Sequence, residues 1–221
     1  MAIFDEELRL LRERVLKLGS LVETAIHDSV KSLVERDSDL ARKIIERDHK
    51  INALDVEIDE ECIRLLALRQ PKARDLRFIT TAMKITTDLE RIGDLAENIA
   101  ERAIELNEEP QLKPYIDIPR MAEIAQEMVR ESLDAFVERC SNLPYKVLKR
   151  DDEVDNLNTQ VFNELLFYMI QDPNTVSRAI KISYVSKYLE RIADHATNIA
   201  ETVIYMCQGK IVRHMKIPEE E

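Results

Sequence analysis

Tryptophan is absent from the 221 residues, glycine occurs three times and aromatic residues make up 5%. Hairpins and sandwiches consume glycine at positive φ in their turns and aromatic residues on their strands. A chain this poor in both is not a sheet protein, and its Glu, Lys, Arg, Leu and Ala favour long helices. The three cysteines, Cys62, Cys140 and Cys207, are far apart and never form a Cys-x-x-Cys pair. That excludes a thiolate zinc site and a disulfide framework, and it suits a reducing compartment where they pack as small apolar side chains. No apolar run reaches the roughly eighteen residues that a membrane-spanning helix needs. The opening MAIFDEELRLLRERV alternates acids and bases among its apolar residues, unlike a signal peptide, so a cytoplasmic protein is expected. Charge is what the chain has in quantity: 34% of residues, with a formal net charge of -11. Wrapping nucleic acid needs clustered Lys and Arg, so no nucleic-acid partner is expected. Metal cations or basic protein surfaces are the natural counterparts of such acidity.

One stretch is written twice. Leu89 to Glu101 reads LERIGDLAENIAE and Leu189 to Glu201 reads LERIADHATNIAE, with ten of thirteen positions identical. At helical pitch Leu89, Ile92, Ala96, Ile99 and Ala100 share an apolar face, while Glu90, Asp94, Asn98 and Glu101 run along another. The repeat extends upstream. An offset of 103 carries Arg47, Asp48, Ile51, Leu54 and Ile58 onto Arg150, Asp151, Val154, Leu157 and Val161, and the offset falls to 100 at the signatures.

Punctuation divides each copy into three helices. Leu8, Leu11, Val15, Leu18, Val22, Ile26, Val30 and Leu33 keep one helical period, which Asp37-Ser38-Asp39 interrupts and recaps. A second helix ends before Pro71, which suits the first turn of a third running from about Lys72 to Asn107. Ser141-Asn142-Leu143-Pro144 and Asp172-Pro173 mirror those breaks, and Gly209 is placed to end the last helix in the left-handed region. The expected fold is all-α: two tandem three-helix bundles related by an internal pseudo-twofold repeat. The first bundle is assigned to residues 1–107, a linker to 108–117, the second bundle to 118–209 and a tail, expected to be frayed, to 210–221. Lys210, Arg213 and His214 form a small basic group in that tail.

Asp55, Asp59, Glu90 and Asp155 have no basic residue three or four places away on their own helix. Asp55 and Asp59 stand four apart on the second helix, and Glu90 and Asp94 on the third. Asp151 with Asp155, and Glu190 with Asp194, repeat the spacing in the second half. Like charges four apart repel by a few tenths of a kcal/mol, so duplicated stripes call for a counter-ion. Hard, oxygen-preferring cations such as iron, manganese, magnesium or calcium fit them. A di-iron oxidase bundle is not expected, because it needs two Glu-x-x-His pairs and the sequence has one, Glu46 with His49. His195 follows Asp194 and borders its stripe, and Arg91 and Arg191 are expected to pair with neighbouring helices. No nucleophile elbow, phosphate loop or zinc-protease motif appears, so no catalytic residue is assigned.

The paired signatures, together with IDEECIRLLALRQPKARDLRFI from Ile58 to Ile79, closely resemble the PhoU family over nearly the whole chain. That resemblance implies a non-enzymatic cytoplasmic regulator of phosphate uptake and of the phosphate-starvation response. It implies contacts with the ATPase of the phosphate ABC transporter and with a phosphate-sensing histidine kinase. It further implies a homodimer without membrane insertion, and metal clusters, iron first with manganese, magnesium or zinc as alternatives. Carried onto this sequence, Asp55, Asp59, Glu90 and Asp94 form one ligand set and Asp151, Asp155, Glu190 and Asp194 the other. Ala193 replaces the usual glycine, and Thr159, four beyond Asp155, is taken as the counterpart of Asp59, so unequal sites are expected. A metal-dependent enzyme acting on phosphate esters and a purely structural helical adaptor are the alternative readings.

Overall fold

A computed structural model describes residues 2–138, 142–209 and 211. Cys140, Lys210, Arg213, His214 and the assigned tail other than Ile211 lie outside the described residues. The described residues form six long helices: α1 (Ala2–Val34), α2 (Ser38–Arg69), α3 (Ala73–Asn107), α4 (Asp117–Glu138), α5 (Leu143–Gln171) and α6 (Val176–Gln208). No strand occurs among the described residues.

The helix ends follow from local chemistry. The Asp37 carboxylate accepts from the backbone N–H groups of Asp39 and Leu40 and starts α2. Proline disfavours right-handed helix at the residue before it, and Gln70, before Pro71, turns left-handed at φ 47°. The next helix therefore begins at Ala73, after an extended Lys72, and Pro71 lies in the turn rather than in the first helical turn. In the second half Asp172 caps one 3-10 turn, Pro173–Thr175, before α6 starts; the sequence reading missed that turn. Gly209, at φ 67°, closes α6 by donating its N–H to Tyr205 O at 2.8 Å.

Within each half the three helices pack on one another, and the halves join through α3 on α6 and α1 on α4. Leu89, Ile92, Ala96, Ile99 and Ala100 are sealed from solvent, as are Leu189, Ile192, Ala196, Ile199 and Ala200. These faces merge with both bundles into one continuous core, apart from Ala100, which packs with Ala41 and Ile44 in a small cluster of its own. Gln126 Nε2 on α4 donates to Glu23 O on α1 at 2.7 Å. At the 103-residue offset Glu23 is the counterpart of Gln126, the contact expected where an approximate twofold axis passes. Phe78 and Phe136 stack at 5.1 Å across the junction, with the Arg12 guanidinium 5.4 Å above the Phe78 ring. Cys62 is sealed in this core, where burial and then Asp59 and Glu61 push its thiol up to about 12. It packs as an apolar residue and is no nucleophile. The segment between α3 and α4 is pinned: Arg36 donates to Asn107 O and Glu109 O at 2.6 Å, and buried Lys113 pairs with Glu164.

One glycine sets how closely α2 and α3 approach. A Cβ on Gly93 would lie 3.1 Å from two carbons of Ile51 and 3.6 Å from Asp48 Oδ1. The second half has Ala193 at this place and the smaller Val154 opposite it, so the two halves divide a similar volume differently. Gly93→Ala and Ile51→Val should therefore be coupled. In urea denaturation the double variant should be more stable than the sum of the single effects by about 1 kcal/mol. Strict additivity would show that the helices are not in limiting contact there.

Candidate metal centres

The acids of the first half gather where α2 passes Gly93. Asp48, Asp94 and Glu97 each offer an oxygen, all within 4.8 Å of one another. Asp48 is buried; its Oδ2 accepts from Asn52 Nδ2 at 2.6 Å, while its buried Oδ1 has no hydrogen-bond partner. Burial raises the Asp48 carboxyl above the usual carboxylate range, opposed by the Asn52 amide and reinforced by Asp94. Burial, then Asp48, Glu101 and Asp94, raise Glu97. Glu90, a turn before Asp94, is raised by burial and Asp94, with smaller repulsion from Asp55 and Asp48. Such a group costs stability while its charges are unopposed. A hard cation held there would remove that cost and would supply the partner that Asp48 Oδ1 lacks.

Of the four acids expected here, Asp94 lies in the close triad and Glu90 one turn away. Asp55 couples to Asp59 and more weakly to Arg91, further along α2, and neither belongs to the triad. Asp48 and Glu97 were missed, though the repeat held the signal for one of them. The 103-residue offset puts Asp48 opposite Asp151 and Asn52 opposite Asp155, so Asp55 matches Asn158 and Asp59 matches Phe162. Thr159 is thus not the counterpart of Asp59. Glu97 escaped because its signature counterpart is Thr197, so duplication carried no hint of it.

In the second half the four expected acids feel one another. Burial, then Asp194, Asp155, Asp152 and Glu190, push the Asp151 carboxyl up to about 7. Asp194 is raised by burial, Glu190 and Asp155, against Lys187 and His195. Asp155 is raised by burial and Glu190. Glu190 Oε1 accepts from Lys187 Nζ at 2.5 Å, and its buried Oε2 has no partner. The two acidic groups differ chemically: the first brings Asp48, Asp94 and Glu97 to short range with Arg91 paired to Asp94, and the second has Lys187 paired to Glu190.

One neighbouring expectation needs correction. Arg91 pairs within its own helix, 3.0 Å from Asp94 and 3.4 Å from Glu90, because a residue three before Asp94 reaches it over one turn. Glu90 therefore does have a basic neighbour on its helix. His195 borders the acidic stripe as expected, opposing the rise of Asp194, and its Nδ1 meets Asp88 Oδ1 on α3 at 2.9 Å, tying the halves together.

A family model described as the PhoU domain matches residues 15–103 and 118–203. A phosphate-specific transport system accessory protein PhoU homolog from Aquifex aeolicus is 46% identical over 215 residues, 97% of each chain. A homolog of the same description from Pseudomonas aeruginosa is 44% identical over 96% of this chain and 88% of its own. The crystal structure of PhoU from Pseudomonas aeruginosa superposes with a TM-score of 0.90 at 43% identity, covering 94% of this chain and 100% of that one. The phosphate transport system regulatory protein PhoU from Streptococcus pneumoniae gives 0.88 at 30% identity, with 95% and 99% covered.

Asp151 makes the chelated protein pH-sensitive in a definite direction. Its carboxyl, ordinarily near 3.8, stands at about 7 in the fold, so the folded state holds the proton more tightly than the unfolded chain. Stability from this residue is greatest at low pH and is lost as pH rises from about 4 to about 7. In EDTA, Asp151→Asn should match wild type near pH 4 and exceed it increasingly up to pH 7. Parallel melting-temperature profiles would show that Asp151 is solvated.

Proposed function

The chain belongs to the PhoU family, and on that premise we propose that it is a non-enzymatic cytoplasmic regulator that binds metal ions and works by protein contact. The family supports an accessory role in phosphate-specific transport. The partners we assign are the ATPase of the phosphate ABC transporter and the phosphate-sensing histidine kinase. Among the described residues no helix is long and apolar enough to cross a membrane, which fits attachment to these proteins without insertion. A homodimer is the proposed state of the free protein.

The observation that carries the metal reading is the partnerless Asp48 Oδ1, buried among the carboxylates of Asp94 and Glu97. Asp48, Asp94 and Glu97 would hold the cation of the first centre, with Glu90, Asp55 and Asp59 extending the face. Asp151, Asp155, Glu190 and Asp194 would hold the second. Bound there, iron, or manganese, magnesium or zinc, supplies positive charge that neutralises the carboxylates. The residues themselves then fix α2 against α3 and α5 against α6, and so set the surface that a partner meets.

Two measurements test this reading. Cation at about 100 times its dissociation constant should stabilise the protein by about 2.7 kcal/mol, a rise of roughly 5 to 10 °C in melting temperature. Asp94→Asn with Glu97→Gln should abolish the part due to the first centre and keep the apo fold. An unchanged response in that variant would dismiss the centre. Capture on the tagged protein from lysate of the source cell should recover the transporter ATPase or the kinase, and recovery of neither at high and low phosphate would dismiss the partners.

A further inference from the structure

The two halves differ most sharply on the face where the first helix of each meets the second. In the second half that face is closed by ion pairs. Arg150 on α5 pairs with Glu127 and Glu131 on α4, and Arg120 pairs with Glu153 at 2.7 Å. The 103-residue offset gives the equivalent set in the first half: Thr24 for Glu127, Asp28 for Glu131, Lys17 for Arg120 and Lys50 for Glu153, around Arg47. Two carboxylates have been replaced, one by a hydroxyl and one by an ammonium. No ion pair to Lys17, Arg47 or Lys50 occurs among the described residues, and all three are exposed.

Where the second half has these clamps, the first has a cavity of 260 Å³ between α1, α2 and α3. Arg47, Lys50, Thr24 and Asp28 line it, with Leu21 and Ile44 as apolar wall. Asp48 and Gly93 also line it, so the cavity opens onto the buried carboxylate whose Oδ1 lacks a partner. In a chain of net charge -11, two unpaired cations at a pocket mouth are an anion-binding arrangement. A guanidinium fork matches the oxygens of a phosphate, and hard cations held by few carboxylates keep phosphate oxygens among their ligands. The cavity is several times larger than a phosphate ion, and its apolar wall suits an organic substituent.

We propose that the α1–α2 cavity of the first repeat binds a phosphate group, held by Arg47 and Lys50 beside the carboxylate of Asp48. The phosphate is carried on a small organic molecule that covers Leu21 and Ile44, or it is free inorganic phosphate. This assignment rests on the cation reading of the first centre for its full affinity. At the equivalent place in the second repeat Arg150 and Arg120 are already paired with glutamates, so one ligand per chain is expected.

Calorimetric titration of the intact protein, chelated or loaded with manganese, against phenyl phosphate and against inorganic phosphate tests it. Manganese-loaded wild type should bind phenyl phosphate saturably, one per chain, and inorganic phosphate more weakly; the reverse order would assign the pocket to free phosphate. Arg47→Gln should weaken binding by about tenfold or more, the worth of one charge-assisted contact, with manganese uptake unchanged. Thr24→Glu restores the clamp of the second repeat, so it should raise the melting temperature and abolish phosphate binding. Arg150→Gln should leave binding as in wild type. Manganese uptake without binding of either phosphate would overturn the pocket and leave the cation reading standing. Binding through Arg47 without manganese uptake would keep the pocket and remove the cation. Wild-type affinity in both Arg47→Gln and Thr24→Glu would overturn the proposal outright.

Discussion

The packing of α3 against α6 is the constraint on which the rest depends. Each of these helices touches three others, α1, α2 and α6 for one and α4, α5 and α3 for the other. A helix enclosed on three sides has one narrow edge left for solvent. Their enclosed faces are accordingly built from Leu, Ile and Ala. The acids Glu90, Asp94, Glu190 and Asp194 lie on the remaining edge, where they meet the charges of α2 or α5. The acidic centres therefore follow from the helix arrangement as much as from the acids. Four-residue spacing on an enclosed helix leaves few other places for Glu90, Asp94, Glu190 and Asp194.

The shared frame makes the differences between repeats informative. Gly93 beside Ile51 and Ala193 beside Val154 solve one packing problem with different volumes. The same approach brings Asp48 to Asp94 and Glu97 in the first half and Asp151 into the field of Asp194 in the second. Elsewhere the halves diverge without compensation. Arg150 is clamped by two glutamates, while Arg47 faces a hydroxyl and a single aspartate across an open cavity. His195 holds Asp88, whereas the equivalent positions are Leu95 and Tyr188.

Most of the architecture was legible because helices announce themselves through periodicity, and the caps at Asp37 and Gly209 obey local rules. The departures were also local. Pro71 stayed outside α3 because Gln70 absorbed the reversal in the left-handed region, and a 3-10 turn intervened after Asp172. The centres were half legible. Spacing within one helix puts Asp94, Glu190 and Asp194 on the acidic faces, but which residue of α2 lies opposite depends on the register between helices. Asp55 and Asp48 are two turns apart and equally plausible from one helix alone. Only the offset to Asp151, and in the structure the approach at Gly93, distinguishes them. Glu97 had no repeated partner to reveal it, and the burial that isolates Asp48 Oδ1 belongs to the packed state alone.

The hydrogen bond between Gln126 and its own counterpart Glu23 marks an axis inside a single chain. Two separate copies of one repeat, meeting face to face, would produce the same self-matching contact. Held by one polypeptide, the two faces no longer depend on how much protein is present, because each has its mate at a fixed effective concentration. The chain is in this sense an internal dimer, and covalent linkage let its halves drift apart in chemistry without coming apart in space. An assembly of identical subunits could not keep one clamp shut and its twin open by sequence, since any change in one would appear in both.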